Sequence, residues 1–252
     1  MRTLAMPLTA IAPDLWAAAQ PLRFLGLDVG SRMTVVRLPS GSLVLISPIE
    51  LTDRDSEDID QLGPVGHIIA PNLFHHLSMG SALKRYPEAI AWGVDGLSEK
   101  RPDLTIDATL AQPGSLENVL DYVQFEGFAA LLPRGIKLAR ETVFCHRPSR
   151  TLILTDTAFN FDRDSSFSVR LAARALGSYD VLRPTFMEKW GTRDKTAVET
   201  TVREILTWEF NRVIPGHGSI VETGGKAQFK AGYEWFLGKS LTPQTTNSVA
   251  SV

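Results

Sequence analysis

The sequence predicts a single α/β domain in which two β-rich layers are covered on the outside by helices. Three observations carry this expectation. Strand and helix signals alternate through the first half of the chain. A β pattern returns between residues 125 and 157, with helices after it, and no Gly/Ser- or Pro-rich linker divides the middle. At 252 residues the chain is long enough to bury a substantial core. Its 44% hydrophobic and 21% charged residues are the balance of an ordinary globular protein.

The first clear element is a hairpin. Met33–Leu38 and Ser42–Ile49 are rich in Val, Leu and Ile, and Pro39-Ser40-Gly41 between them is turn chemistry. A helix is expected from about Asp55, then a short apolar strand, His67-Ile68-Ile69-Ala70, running into Pro71-Asn72. Leu73–Tyr86 reads as a helix stopped by Pro87, and Ala89–Val94 as the next strand. This is the order of a βαβ unit, whose functional loop lies at the C-terminal end of its strand. Phe125–Leu132 and Lys137–Thr157 return to β, the second stretch holding runs Glu141–Cys145 and Thr151–Leu154 around the turn His146–Arg150. Helices follow over about Ser166–Gly177 and Lys195–Glu209, then a strand, Arg212–Ile214, leading into Pro215-Gly216-His217-Gly218. A last helix covers about Gly225–Phe236.

Residues 1–20 are expected to form an extension ahead of a domain spanning 21–240, and residues 241–252 a flexible polar tail. Arg2 precedes an apolar stretch ending in small residues, but Pro7, Pro13 and Asp14 interrupt the hydrophobic region that a signal peptide needs. No segment reaches the roughly 18 apolar residues of a membrane-spanning helix. A net charge of −2 offers no attraction to nucleic acid or an anionic membrane. Cys145 is the single cysteine, so no intramolecular disulfide forms, in keeping with a reducing compartment. The cytoplasm is the expected location, a small molecule the expected partner, and the oligomeric state is not encoded in any pattern here.

Candidate chemistry rests on histidines at strand ends. His75 and His76 follow the strand His67–Ala70, His217 follows Arg212–Ile214, and Asp156 lies just past Thr151–Leu154. Loops at strand ends are held by a rigid sheet, which is where sites are built. Imidazoles with a carboxylate suit Zn²⁺ or Fe. Adjacent histidines in regular helix point about 100° apart, so His75 and His76 share one ion only if the first lies in the loop. The competing arrangement has one of them packing or capping and the other solvated. His146, in a hairpin turn, is expected at the surface.

Three segments, GHIIAPNLFHHL, TLILTDTAFNF and RVIPGHGSI, resemble in that order the landmarks of the metallo-β-lactamase superfamily. The chain is more similar still to its uncharacterised DUF4336 subfamily, through Gly-Ser-Arg-Met-Thr-Val-Val-Arg-Leu, the Ser-Pro after the second strand, and Ala-Pro-Asn before His75-His76. The resemblance spans about residues 20–238 and implies a four-layer αββα sandwich. Laid on the family's Thr-His-x-His-x-Asp-His motif, Ala70 falls on the Thr, Pro71 and Leu73 on the first two His, His75 on the Asp and His76 on the last His. Asp156 falls on the metal-bridging Asp and His217 on the last His of the Pro-Gly-His-Gly turn. Pro71 and Leu73 have no donor atom, and residues 135–140 contain no histidine, so one of the two metal sites is lost. The surviving set is His76, Asp156 and His217 with His75, enough for at most one Zn or Fe ion.

Two functions follow. One is a metal-dependent hydrolase-like protein acting on a small ester, amide or thioester. The other is a catalytically silent binding or scaffold protein in which Asp156 accepts from His76 and His217 in a metal-free cluster. Around the site, Asn72 and Asn160 are candidates for orienting substrate, or else turn residues bonded to backbone. Arg32 is a candidate for an anionic group or a structural ion pair. Phe74 and Trp190 are pocket or core candidates, and Cys145 a buried, inert thiol.

Overall fold

The structure, a computed structural model, describes residues 7–241. The expected tail lies outside them apart from Leu241, which is buried. In chain order the first half contains β1 (Thr9–Ala12), β2 (Leu15–Gln20), β3 (Arg23–Phe24), β4 (Leu27–Asp28), β5 (Ser31–Arg37), β6 (Leu43–Ile46), α1 (Asp53–Asp60), β7 (Val65–Ile69), α2 (Met79–Arg85), β8 (Ile90–Gly93), α3 (Leu97–Lys100) and β9 (Ala108–Thr109). The second contains β10 (Gly114–Leu116), β11 (Leu120–Phe125), β12 (Ala129–Leu132), β13 (Gly135–Leu138), β14 (Glu141–His146), β15 (Thr151–Ile153), α4 (Phe167–Ala175), α5 (Phe186–Gly191), α6 (Lys195–Ile205), β16 (Arg212–Ile214) and α7 (Gly225–Leu237).

Among the described residues, seven strands form one sheet in the order β1-β2-β5-β6-β7-β8-β9, and five form another, β10-β11-β14-β15-β16. The period-2 alternation of the strands explains how the sheets stack. In β6, Val44 and Ile46 face the second sheet, where they join Phe144, Ile153 and Ile214 in one core cluster. Leu43 and Leu45 point the other way and pack with Ile59 of α1 and Met79 and Ala82 of α2. In the second sheet Val143, Cys145 and Leu152 face outward onto Val198, Val202 and Ile205 of α6 and Phe229, Tyr233 and Phe236 of α7. Helix, sheet, sheet and helix are therefore the four layers, as expected.

The parallel pairs β6–β7, β7–β8 and β15–β16 put the C-terminal ends of β6, β7, β15 and β16 at one edge of the sandwich. β5, antiparallel to β6, begins at that edge.

Several expectations need correction. The chain from Thr9 to Gln20, expected as an extension, forms β1 and β2 of the first sheet, with Leu15 fully buried. The helix expected from Leu73 begins only at Met79. The Asn72 side chain takes the backbone N–H groups of Phe74 and His75, both at 2.7 Å, which holds residues 73–78 in turns. His146 is buried, with its ring at 2.7 Å from the Ser149 hydroxyl. Trp190 is two-thirds exposed. The short helix α5 had no expected counterpart; Thr185 and Glu188 form a capping box at its start.

Candidate metal centre

Each member of the site stands just past a strand end. Ser47 follows β6, His75 lies in the turn after β7, Asp156 follows β15 and His217 follows β16. The structure brings His75, Asp156 and His217 together. His75 Nε2 lies 3.1 Å from His217 Nε2. Asp156 Oδ1 lies 3.3 Å from His217 Nε2 and 3.5 Å from His75 Nε2.

Hydrogen bonds on the far side of each ring define what faces inward. His217 Nδ1 is 2.6 Å from the Gly30 carbonyl, which can only accept, so Nδ1 carries the proton and the neutral ring presents a lone pair at Nε2. His75 Nδ1 is 2.8 Å from the Ser47 hydroxyl, which can accept in the same way. Asp156 Oδ2 is taken by the Asn72 amide at 2.8 Å, leaving Oδ1 for the cluster. Three electron-pair donors thus converge. Such an arrangement calls for a positive charge between or upon them.

A proton can supply that charge. Burial opposes the protonation of His75, but the charge of Asp156, its hydrogen bond and the more distant Glu141 outweigh burial and hold His75 above the ordinary histidine value. Burial likewise disfavours ionised Asp156, yet His75 and His217 hold its carboxyl well below the usual range.

A metal ion is the other candidate. Ligand distances of about 2.0–2.2 Å to a tetrahedral centre place its donors roughly 3.3 Å apart. The observed 3.1, 3.3 and 3.5 Å match three corners of that figure, so the residues present fit one ion with a fourth position free.

Glu141, which the sequence reading passed over, supports the Asp156 loop from beneath. It is fully buried and accepts from the backbone N–H of Thr155 at 2.7 Å and of Asp156 at 2.6 Å, and from the Thr157 hydroxyl at 2.8 Å. Burial, followed by the charge of Asp156, raises its pKa, against the pull of those donors. Its signal in the sequence is a carboxylate opening an otherwise apolar strand, Glu-Thr-Val-Phe-Cys.

Other expected site residues lie elsewhere. His76 is outside the group of three: its Nδ1 sits 3.1 Å from Arg101 Nη1, and burial, with the charges of Lys100 and Arg101, lowers its pKa to about 4. Successive side chains in a helical turn diverge, and His75 holds the inward direction. Asn72 is fully buried, with its amide donating to Glu141, Thr155 and Asp156, so its side chain holds the loops that carry the site. Asn160 bonds the Ser219 carbonyl at 3.0 Å and ties the two loops together. Arg32 forms no ion pair among the described residues. Its guanidinium donates to the Pro215 carbonyl and, at 2.7 Å, to the Gly218 carbonyl, clamping the turn that carries His217. Phe74 lines the cavity over the cluster, under the Lys100 ammonium at 5.1 Å.

Residues 13–180 match the family of unknown function DUF4336. The chain belongs to the DUF4336 family. The matched segment carries His75 and Asp156, while His217 lies beyond it. No curated protein matches. Solved structures share the fold across nearly the whole chain. A metallo-β-lactamase from Pontibacter korlensis is 13% identical, with a TM-score of 0.60 over 94% of this chain and 99% of that one. The mono-zinc form of the metallo-β-lactamase FIM-1 from Pseudomonas aeruginosa is 15% identical, with a TM-score of 0.59 over 94% and 97%. The metal-soaked Flv1 flavodiiron core from Synechocystis sp. PCC6803 is 12% identical, with a TM-score of 0.60 over 94% and 61%. This DUF4336 chain therefore has the metallo-β-lactamase fold.

Within that fold its departures have structural roles. Pro71, where the family resemblance calls for a ligand, is buried, and its carbonyl accepts from the Thr142 backbone N–H at 2.7 Å. Leu73 packs against the outer core of the first sheet. In this DUF4336 protein the positions of the missing ligands stitch the turn after β7 to its surroundings.

Proposed function

We propose that this protein is a mononuclear metal-dependent hydrolase of small esters, amides or thioesters, holding Zn²⁺ or Fe through His75, Asp156 and His217. The observation that carries this reading is the spacing of the three donors, close to the edge of a metal tetrahedron, with the His217 imidazole held in the ligating tautomer by the Gly30 carbonyl. An ion there supplies Lewis acidity toward a carbonyl oxygen and one open position. The chain's own residues do the rest. Gly30 and Ser47 fix the two rings, and Asn72 and Glu141 fix the carboxylate. A two-metal clamp of the kind that cleaves phosphodiesters is unsupported, because Pro71 and Leu73 offer no donors.

Elemental analysis of protein grown with zinc and iron and purified without chelator tests the reading. One ion per chain, lost in His75→Ala and in His217→Ala, is the expected result.

A second reading is favoured by one observation: the 3.1 Å approach of the two Nε2 atoms is also a hydrogen-bond distance, completed by a proton on His75. That reading makes the protein a catalytically silent binding module. Metal-free protein that takes up neither zinc nor iron would decide for it.

A further inference from the structure

We infer that the site serves acyl compounds with an extended hydrocarbon chain, which lies in the cavity leading to the donor cluster; the hydrolytic part of this inference rests on the proposed function.

His75, Asp156 and His217 form one end of a cavity of about 430 Å³, well inside the range of about 300–1,000 Å³ found for small-molecule sites. The rest of its wall is chiefly hydrocarbon. One side is α4 with its C-terminal cap, contributing Val169, Ala172 and Ala173 from the helix and Leu176 from the cap, the spacing that places four side chains on one face of a helix. Two of the four are alanines, and their small size is what leaves room. Leu132 of β12 forms another side.

The apolar wall continues to the mouth. Phe24 and Leu25 of the β3–β4 hairpin and Leu77 line the cavity while remaining 42%, 60% and 66% exposed. Large apolar side chains kept in water around an apolar cavity form a continuous track from solvent to the cluster. Inside the cavity the charged groups do not suit a buried anion: Glu188 is buried and hydrogen-bonded to Thr185, Asp156 belongs to the cluster, and the Lys100 ammonium is engaged by the Leu73 carbonyl, while the exposed Arg23 adds one cation to the lining. A neutral chain ending in a carbonyl suits both ends of this space.

The reaction balances with water alone. Water's oxygen bonds to the acyl carbon as the bond from that carbon to the leaving oxygen, nitrogen or sulfur breaks. One proton of the water goes to the leaving group, and the other is released with the carboxylate product.

Two arms separate chain binding from hydrolysis. In the first, butan-1-ol, hexan-1-ol, octan-1-ol and decan-1-ol are titrated calorimetrically into the purified protein. These probes carry no charge and do not depend on an ion. Affinity is expected to rise about two- to fourfold per methylene. Ala172→Phe should abolish the gain for the longer alcohols while leaving the melting temperature within a few degrees of wild type. Leu132→Ala, which widens the cavity, should extend the gain to longer chains. Affinity independent of chain length, or insensitive to both substitutions, overturns the inference. In the second arm, p-nitrophenyl acetate, hexanoate and decanoate are offered as substrates, and kcat/KM should favour the longer esters. Chain-dependent alcohol binding without hydrolysis of any ester keeps the cavity assignment and removes the hydrolase reading. Hydrolysis of acetate alone, without chain-dependent binding, does the reverse.

Discussion

The amide of Asn72 donates to Asp156 Oδ2 at 2.8 Å, while its oxygen accepts from the backbone N–H of His75 at 2.7 Å. One side chain from the turn after β7 thus sets two of the three donors, aiming the carboxylate and holding the turn from which His75 projects. Because Asn72 is fully buried, no water replaces it. Asn72→Ala should weaken zinc affinity by about 10–100-fold, the usual effect of losing a group that orients a ligand, and cost about 1–3 kcal/mol of stability. Competition with a chromophoric chelator and urea denaturation measure the two.

His75→Ala and His217→Ala should each remove the bound ion, and His76→Ala should leave one ion per chain. His76 faces Arg101, so its loss alters the cavity wall without removing a donor. Metal content of the three variants decides whether His75 or His76 is the ligand.

Gly216 lies against the site from the second sheet. A Cβ there would meet His75 Cε1 at 3.1 Å and Thr155 Cα at 3.0 Å. Backbone on one side cannot yield, so the imidazole must. Gly216→Ala is expected to lower metal affinity about tenfold or more with a modest drop in melting temperature. Gly218→Ala differs in kind. Its φ of +83° and a Cβ 2.2 Å from the Asn160 carbonyl predict a loss of folding stability first, read in the denaturation midpoint.

Glu141 is expected to be structural. Replacing it with Ala strands the N–H groups of Thr155 and Asp156 in a buried place, which should cost about 2–5 kcal/mol. Glu141→Gln retains one acceptor and should cost less. Denaturant titration of the two variants gives the order.

Burial pushes the Cys145 thiol up to about 12, from an ordinary value near 9. The unfolded chain therefore loses this proton first as pH rises, and folded stability declines between about pH 9 and pH 12. The slope is about 1.4 kcal/mol per pH unit from this group. Cys145→Ala should flatten that part of the stability curve. At pH 8 the native thiol stays protonated, so iodoacetamide should modify it only at the rate of unfolding.

The sandwich was legible because its strands alternate two apolar faces and its loops carry their turn residues. The hairpin of β5 and β6, the strand β7 and the Pro-Gly-His-Gly turn after β16 all lie where their patterns place them. What escaped was set by side chains rather than by period. Whether the chain turns or coils after β7 depends on Asn72, and that decided between His75 and His76. Glu141 was passed over because the one local sign, a carboxylate opening an apolar run, does not by itself say that β14 is buried along its whole length. β1 and β2 were masked by Pro13 and Asp14, which mark the tight turn between them, where Asp14 has a φ of +60°.

Arg32 stands at the start of β5, yet it grips the carbonyls of Pro215 and Gly218. The third donor is therefore held from the opposite end of the polypeptide. No fragment emerging from a ribosome can assemble this triad until β16 has docked, however well the first sheet has formed. Ion capture would then serve as a rivet driven last, registering that the two halves of the sandwich have met in the right alignment.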